Sequence, residues 1–395
     1  MDQNLPLAGI RVISLEQAVA APFASRQLAD LGAEVIKIER PGKGDFARDY
    51  DDVVDGMSSY FVWLNRSKRS LTLDVKSAQG RTVLARLLSS ADVFVHNLGP
   101  GAVERLGFGP DELATLNPDL IDCAITGFGS DGAWADRKAY DLLIQCQTGL
   151  VSITGTPESG ARVGISVADI AGGMYAYSGV LAALFTRATT GTARAVQVSL
   201  FDALSEWMSQ PAYYTRYSGQ QPPRLGTHHA TIAPYGAYEA SDGCEVLFSI
   251  QNDREWRGFC EQILAAPELV EDPRFATSSV RVAHRAELDP VIARHFAAHP
   301  SREIQVALDA AGIANSAINT VTDFLDHPVL EERGAWVPVE TPTTTVDSLL
   351  PPARLGGVEP RMGRVPSIGE DAQAILVELG YSDEDIEGFR ATGVI

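Results

Sequence analysis

Short apolar runs alternate with helical patterns through the first 130 residues, and this alternation limits the fold more than any other feature. "RVISL" (11–15), "EVIKIE" (34–39), "SLTLDV" (70–75), "VFVHN" (93–97) and "IDCAIT" (121–126) read as strands. "APFASRQLADLG" (21–32), "SAQGRTVLARLLSSA" (77–91) and "PDELATLN" (110–117) read as the helices between them. Strand–helix–strand repeats of this kind build a parallel sheet with helices on its faces. The fold class is therefore α/β, and a ligand is expected beyond the carboxyl ends of the strands.

The first turn narrows the choice of ligand. "SLEQAVAAP" stands where a dinucleotide site would carry G-x-G-x-x-G, and no G-x-x-x-x-G-K-[ST] occurs, which argues against nicotinamide dinucleotides and nucleoside triphosphatases. Acidic residues number 51 against 32 basic, a formal charge of -19. Such a surface repels nucleic acid and anionic lipid, so an anionic small ligand needs a local basic cluster. Cys123, Cys146, Cys244 and Cys260 have neither metal nor redox spacing and read as buried free thiols. The N-terminus lacks a signal-peptide pattern, and no uninterrupted apolar stretch reaches membrane-spanning length. A soluble cytoplasmic protein with no membrane partner is expected.

Beyond residue 130 the pattern changes. A helix is expected over 168–188, then a strand "AVQVSL" (195–200) and a helix from Phe201 to Tyr217. "SGQQPPRLGTHH" (218–229) reads as a linker, and "YGAYEASDGCEVLFSIQ" (235–251) as a hairpin with a Ser-Asp-Gly turn. Helices follow to Leu325, then extended Pro-containing segments (338–366) and helices near 370–380 and 382–391. The expected division is a large domain over 1–217, a smaller α+β domain over 218–330, and a return to the large domain over 331–395.

Asp169 is the residue that raises a chemical question. It stands in "GISVADIAGGMYAYSGVLAALF" among small and apolar neighbours, where a carboxylate is costly unless paired or used. One reading is a helix N-cap, which accepts backbone N–H bonds. The other is a nucleophile at a helix start, with Gly172 and Gly173 leaving room for an acyl group. Arg40, Lys43 and Arg48 follow one strand end, Arg66, Lys68, Arg69 and Lys76 surround another, and Arg105 follows the Gly-Pro-Gly turn after a third. On an acidic protein this grouping suits a phosphorylated ligand. Tyr140, in "DRKAYDLLIQ", either packs in the core or lines an acyl pocket. His228 and His229 are adjacent and have no third ligand at useful spacing, so no metal is expected.

The ordered set "LAGIRVISLEQAVAAPFASRQLADLGAEVIKIERPG", "NRSKRSLTLDVK", "VFVHNLGPGAVERLGF", "ITGFGSDG", "AYDLLIQCQTGL", "ADIAGGMYAYSGVLAALFTRATTG" and "VPSIGEDAQAILVELGYS" resembles the class III CoA-transferases, the CaiB–BaiF family that includes formyl-CoA transferase and 2-methylacyl-CoA racemase. The resemblance implies a Rossmann-like large domain, a smaller α+β domain and an interlocked homodimer. It implies that Asp169, in "ADIAGGM", is the nucleophile, passing through an aspartyl-acyl anhydride and an aspartyl-CoA thioester without ATP or metal. It implies coenzyme A contacts at Val19, Ala20, Arg40, Leu73 to Lys76, Asn97, Leu98, Gly99, Arg105, Lys138, Tyr140 and Asp141. Val19 stands where formyl-CoA transferase has Gln, which speaks against oxalate or formate.

The racemase branch places a His-Asp pair where this chain has Tyr140 and Asp141. A tyrosine with an ordinary high pKa is a poor base near neutrality, so transfer is favoured over racemisation. A CoA-binding protein without chemistry is the third reading. Arg224 and His229, in "RLGTHHATIAPYG", suggest a second carboxylate on the substrate and hence a small dicarboxylate such as succinate, mesaconate, citramalate or malate, with transfer between two acids or within one.

Overall fold

The computed structural model describes residues 4–395. Six strands form one parallel sheet: β1 (Arg11–Leu15), β2 (Glu34–Glu39), β3 (Lys68–Thr72), β4 (Val93–His96), β5 (Ile121–Thr126) and β6 (Val196–Ser199), in the order β3-β2-β1-β4-β5-β6. The α/β sheet expected from the alternation is therefore present. Its order reverses between β1 and β4, and that switch point opens a crevice at the carboxyl ends. β1, β2 and β4 are almost wholly buried, as parallel strands covered on both faces must be.

Helices of the same unit include α1 (Ala20–Asp30), α2 (Ala78–Leu88), α3 (Asp141–Gln147), α4 (Val167–Thr190), α5 (Leu200–Trp207), α6 (Ala372–Glu378) and α7 (Asp383–Ala391). On one face Leu84, Leu87 and Leu88 of α2 join Ile375 and Leu376 of α6 and Ile386 of α7 in a core with Ile13, Ile36, Leu71 and Phe94. α1 packs on α4, which also contacts β5, β6, α3 and α5. α4 is long and apolar enough to cross a membrane by length and composition, a feature the expected absence of a continuous apolar stretch did not register. Its Ala168, Ala171, Ala176 and Val180 are buried in the unit, and Gly191 ends it with a φ of 70°.

The chain divides into two compact units. The first takes the chain up to Gly149, then Val163–Gln210 and Glu331–Ile395. It also holds an antiparallel hairpin of β10 (Trp336–Glu340) and β11 (Thr345–Leu349), where the sequence suggested only extended segments. The second takes Leu150–Arg162 and Pro211–Leu330. Its antiparallel sheet contains the expected hairpin, β7 (Tyr235–Glu239) and β8 (Glu245–Ser249), plus a third strand β9 (Asn315–Ala317). Phe248, Phe259, Phe296 and Trp256 fill its core.

The expected helix over 201–217 is two helices, α5 and Ser209–Ser218, broken at Met208. Pro211 lacks the N–H that would bond the Trp207 carbonyl, so the first helix stops and a second starts with proline in its first turn. The third strand begins at Lys68, two residues before the expected start. Only Cys123 and Cys260 are buried thiols; Cys146 and Cys244 are exposed, against expectation.

Candidate active site

The turn after β1 is held from two sides. Asn97, just past β4, spans it like a neighbouring strand: its Oδ1 accepts the Gln17 N–H at 2.9 Å and its Nδ2 donates to the Gln17 carbonyl at 2.8 Å. Asp45 Oδ1 accepts the N–H of Ala18 at 3.1 Å, and Ala18 is fixed at a φ of 63°, a region L-residues seldom occupy. The crossing from β1 into α1 is thereby locked beside the switch point. Val19 occupies the N-cap position of α1 and Ala20 its first turn, both buried.

Asp45 can serve because its charge is compensated. Its Oδ2 lies 2.8 Å from Lys37 Nζ, and Lys37 also reaches Glu16 Oε1 at 3.3 Å. Lys68 Nζ meets the same Glu16 oxygen at 2.7 Å. Burial alone would lower the Lys37 pKa, but Asp45, Glu16 and Glu39 outweigh it and hold the ammonium charged well above its ordinary range. For Lys68 burial wins and its pKa falls to about 8. Burial would raise the pKa of Glu39, yet the Arg48 fork and Lys37 bring it to about 2.

This network corrects the reading of the basic residues. Arg48 pairs with Glu39, Arg66 with Asp30, Lys68 with Glu16, and Arg69 with Glu34 and Glu378. Arg48, Arg66 and Lys68 balance interior carboxylates and Arg69 partly exposed ones, so these four cations are already paired within the fold. Lys43 is exposed. Arg40, Lys76 and Arg105 remain, and they share a cavity of about 770 Å³ with Leu73, Leu98 and Gly99. Arg81, which sequence reasoning did not single out, adds a fourth cation to its lining and donates to the Lys76 carbonyl at 2.6 Å. Its helical setting in α2, five residues after Lys76, was the signal available. The acidic floor, Glu16, Glu39 and Asp45, is the neutralised network just described.

Asp169 sits in the first turn of α4, three residues past the N-cap position. It is therefore not the N-cap; that position belongs to Ser166, which makes no side-chain cap. Asp141, the first residue of α3, supplies the missing acceptor: its Oδ1 takes the Ala168 N–H at 2.7 Å. Its Oδ2 accepts from Gln145 Nε2 at 2.7 Å, and Gln145 Oε1 accepts the Val163 N–H at 2.9 Å. Asp169 is partly buried, and among the described residues no side chain pairs with it. Burial, and then the Asp141 charge, push its pKa up to about 7.

Two phenols belong to nearby segments: one directly precedes Asp141, and the other feels the Asp169 charge. Tyr140 stands at the N-cap position of α3 and is 64% exposed, so it is not a core residue. Tyr50, also missed from sequence, packs on Phe46 and Tyr60. Burial raises its pKa to about 12, helped by the charges of Asp45, Asp169 and Tyr140. Lys138 is exposed on the loop before α3.

The glycines after Asp169 do not leave room for an acyl group. A Cβ on Gly172 would lie 2.5 Å from Leu200 Cδ2, and one on Gly173 would lie 2.6 Å from the Ala20 carbonyl oxygen and 3.0 Å from Phe23 Cδ1. Both are packing glycines; the second lets α4 press against the start of α1. Arg224 and His229 belong to the second unit. Arg224 donates to the carbonyls of Thr156, Ser152 and Pro157 at 2.9, 3.2 and 3.1 Å, and so clamps that segment. His229 stacks on Tyr235 with ring centroids 5.1 Å apart. Among the described residues no group of three His, Cys, Asp or Glu could hold a metal ion.

Fold and site together define an α/β enzyme. The chain belongs to CoA-transferase family III, whose model matches residues 7–372. It is 34% identical over 384 residues to the succinate–glutarate CoA-transferase of Agrobacterium fabrum, covering 95% of this chain and 96% of that one. It is 31% identical over 401 residues to the succinyl-CoA–D-citramalate CoA-transferase of Chloroflexus aurantiacus, covering 99% and 98%. A crystal structure of a CaiB/BaiF family protein from Brucella suis superposes with a TM-score of 0.83 at 34% identity, covering 95% of this chain and 99% of that one. Proteins of this family use CoA thioesters as substrates.

Proposed function

We propose that this protein transfers CoA from a dicarboxylic acyl-CoA, with succinyl-CoA as the first donor to try, to a small dicarboxylate of the glutarate or citramalate type, and that Asp169 is the nucleophile. The observation that carries the reading is the unpaired carboxylate of Asp169, raised to about 7 by burial and by Asp141. A carboxylate stripped of partners and water is a stronger nucleophile than a solvated one. An Asp169 oxygen attacks the thioester carbonyl; an O–C bond forms, the C–S bond breaks, and its electron pair leaves as CoA thiolate. The thiolate then attacks the Asp169 carbonyl of the anhydride and releases the first acid, leaving an aspartyl-CoA thioester. The acceptor carboxylate takes the place of CoA on Asp169, and the returning thiolate attacks the acceptor's carbonyl to free Asp169.

Arg40, Lys76, Arg81 and Arg105 around the cavity are suited to the phosphates of CoA, as fixed cations are to oxyanions. The substrates for which those relatives are named support a dicarboxylate. Racemisation would need two free acid–base groups flanking a carbon. Both Asp141 oxygens are already engaged, by Ala168 and Gln145, which speaks against that role. A homodimer is part of the reading: Phe185 is 70% exposed on α4 and Trp207 48% on α5, and covering such side chains favours association.

The test is chemical trapping. The protein is incubated with succinyl-CoA, treated with hydroxylamine, and the peptide containing Asp169 is weighed. A hydroxamate on Asp169, with turnover on glutarate or citramalate exceeding that on acetate, is expected. Turnover with an unmodified peptide overturns the nucleophile; equal rates on monocarboxylates overturn the substrate class.

A further inference from the structure

Gln145 takes no part in the scheme above, yet its place is specific. It is wholly buried in α3, one turn after Asp141, and its amide is used in both directions. The carbonyl end accepts from Val163 N–H and the amino end donates to Asp141. The amide cannot flip, because flipping would set two acceptors against each other at Asp141 and two donors at Val163. Val163 and Ala168 bracket the segment that enters α4. Gln145 and Asp141 therefore bind both ends of the run of chain leading to Asp169.

We propose that Gln145 is a positioning residue for acylation: it holds the Asp141 carboxylate against the Ala168 N–H and so fixes the first turn of α4, with Asp169 in it, at the attack position. This rests on the reading of Asp169 as nucleophile. A carboxylate on a helix start with no side-chain cap of its own can tilt unless an outside acceptor anchors the turn. Asp141 is that acceptor, and without Gln145 one of its oxygens has no donor and its aim is lost. A sub-ångström error in aim is enough to slow attack strongly.

The measurement is the single-turnover rate constant for acylation of Asp169 by succinyl-CoA in the full chain, with the Asp169 hydroxamate formed on a hydroxylamine quench giving the amplitude. A role confined to folding lowers the amplitude, since fewer molecules are competent, and leaves the rate constant alone. For Gln145→Leu we expect a rate constant lower by about tenfold or more with the amplitude largely kept. Gln147→Leu, an exposed neighbour on the same helix, is expected to behave as wild type. In the double variant Gln145→Leu with Asp141→Asn the rate constant is expected within about twofold of Asp141→Asn alone, as for two residues acting through one contact. A Gln145→Leu rate constant within about twofold of wild type, or fully multiplicative effects in the double variant, overturns the proposal. Wild-type trapping at Asp169 keeps the two readings apart: if it succeeds and Gln145→Leu is normal, only this proposal falls, and if it fails, both fall.

Discussion

Lys37 Nζ lies 2.8 Å from Asp45 Oδ2 with neither side chain exposed, and the same Asp45 holds the backbone of Ala18 in its left-handed conformation. One interior charge pair thus fixes the turn at the switch point of the sheet. Lys37→Met keeps the volume and removes the charge, leaving Asp45 and Glu16 short of a cation. Breaking a buried pair from one side costs about 3–5 kcal/mol. Denaturant unfolding is expected to show a loss of that order at pH 7.

With Asp169 as the proposed nucleophile, Asp169→Ala is expected to reduce CoA transfer by at least about a thousandfold. Binding of CoA, measured by calorimetry, is expected to survive. A variant that keeps turnover would make the chain a transferase of another mechanism.

The pKa of Asp169 has consequences of opposite sign for rate and stability. The carboxylate must be ionised to attack, so the acylation rate is expected to rise with pH through about 7. Asp141→Asn removes the second cause of the shift and is expected to move this limb towards lower pH. For stability, the folded chain keeps a proton that the unfolded chain releases near the ordinary aspartate value of 3.8. Stability is therefore lost as pH rises from about 4 to about 7. Asp169→Asn is expected to be more stable than wild type at pH 8, by up to about 4 kcal/mol, and equal to it at pH 3. Thermal unfolding at the two pH values decides it.

Gly173→Ala tests the closest approach of α1 and α4. Alanine usually gains about 1 kcal/mol over glycine inside a helix. Here its Cβ would lie 2.6 Å from a backbone oxygen that cannot rotate away. Overpacking is expected to win, with a net loss of about 1–3 kcal/mol and slowed acylation. Unfolding midpoints and single-turnover rates give both values.

Lys76→Ala and Arg105→Ala are expected to raise KM for succinyl-CoA about tenfold each while kcat changes little, because cations on phosphates bind ground and transition states alike. The increase is expected to shrink at high salt. An unchanged KM would remove the cavity as the nucleotide site.

Much of this was legible in the sequence because it depends on local periodicity. The strand–helix alternation sets the parallel sheet, and Asp169 stands out as a charge among apolar neighbours. The failures concern pairings between distant positions. Lys68 reads as one more surface cation until Glu16, 52 positions away, is placed against it. Gly172 and Gly173 read as space until Leu200 and Ala20 fill it. Gln145 carries no signal, since a buried amide looks like any other glutamine until Val163 and Asp141 are brought to its two ends.

The core beneath the sheet draws on both ends of the chain: Ile13, Ile36 and Phe94 share it with Ile375, Leu376, Ile386 and Val394. Asp371 accepts the Ser70 N–H, and Asp74 donates its own N–H to the Val394 carbonyl. During synthesis that face of the early strands, covered in part by α2, stays incomplete until residues 372–394 have left the ribosome. Such distant contacts make for slow closure and a long period of exposed apolar surface. Losing α6 and α7 to a protease or a frameshift would therefore bare much of one face of the sheet, and a chaperone's hold on the nascent chain would matter most before those two helices arrive.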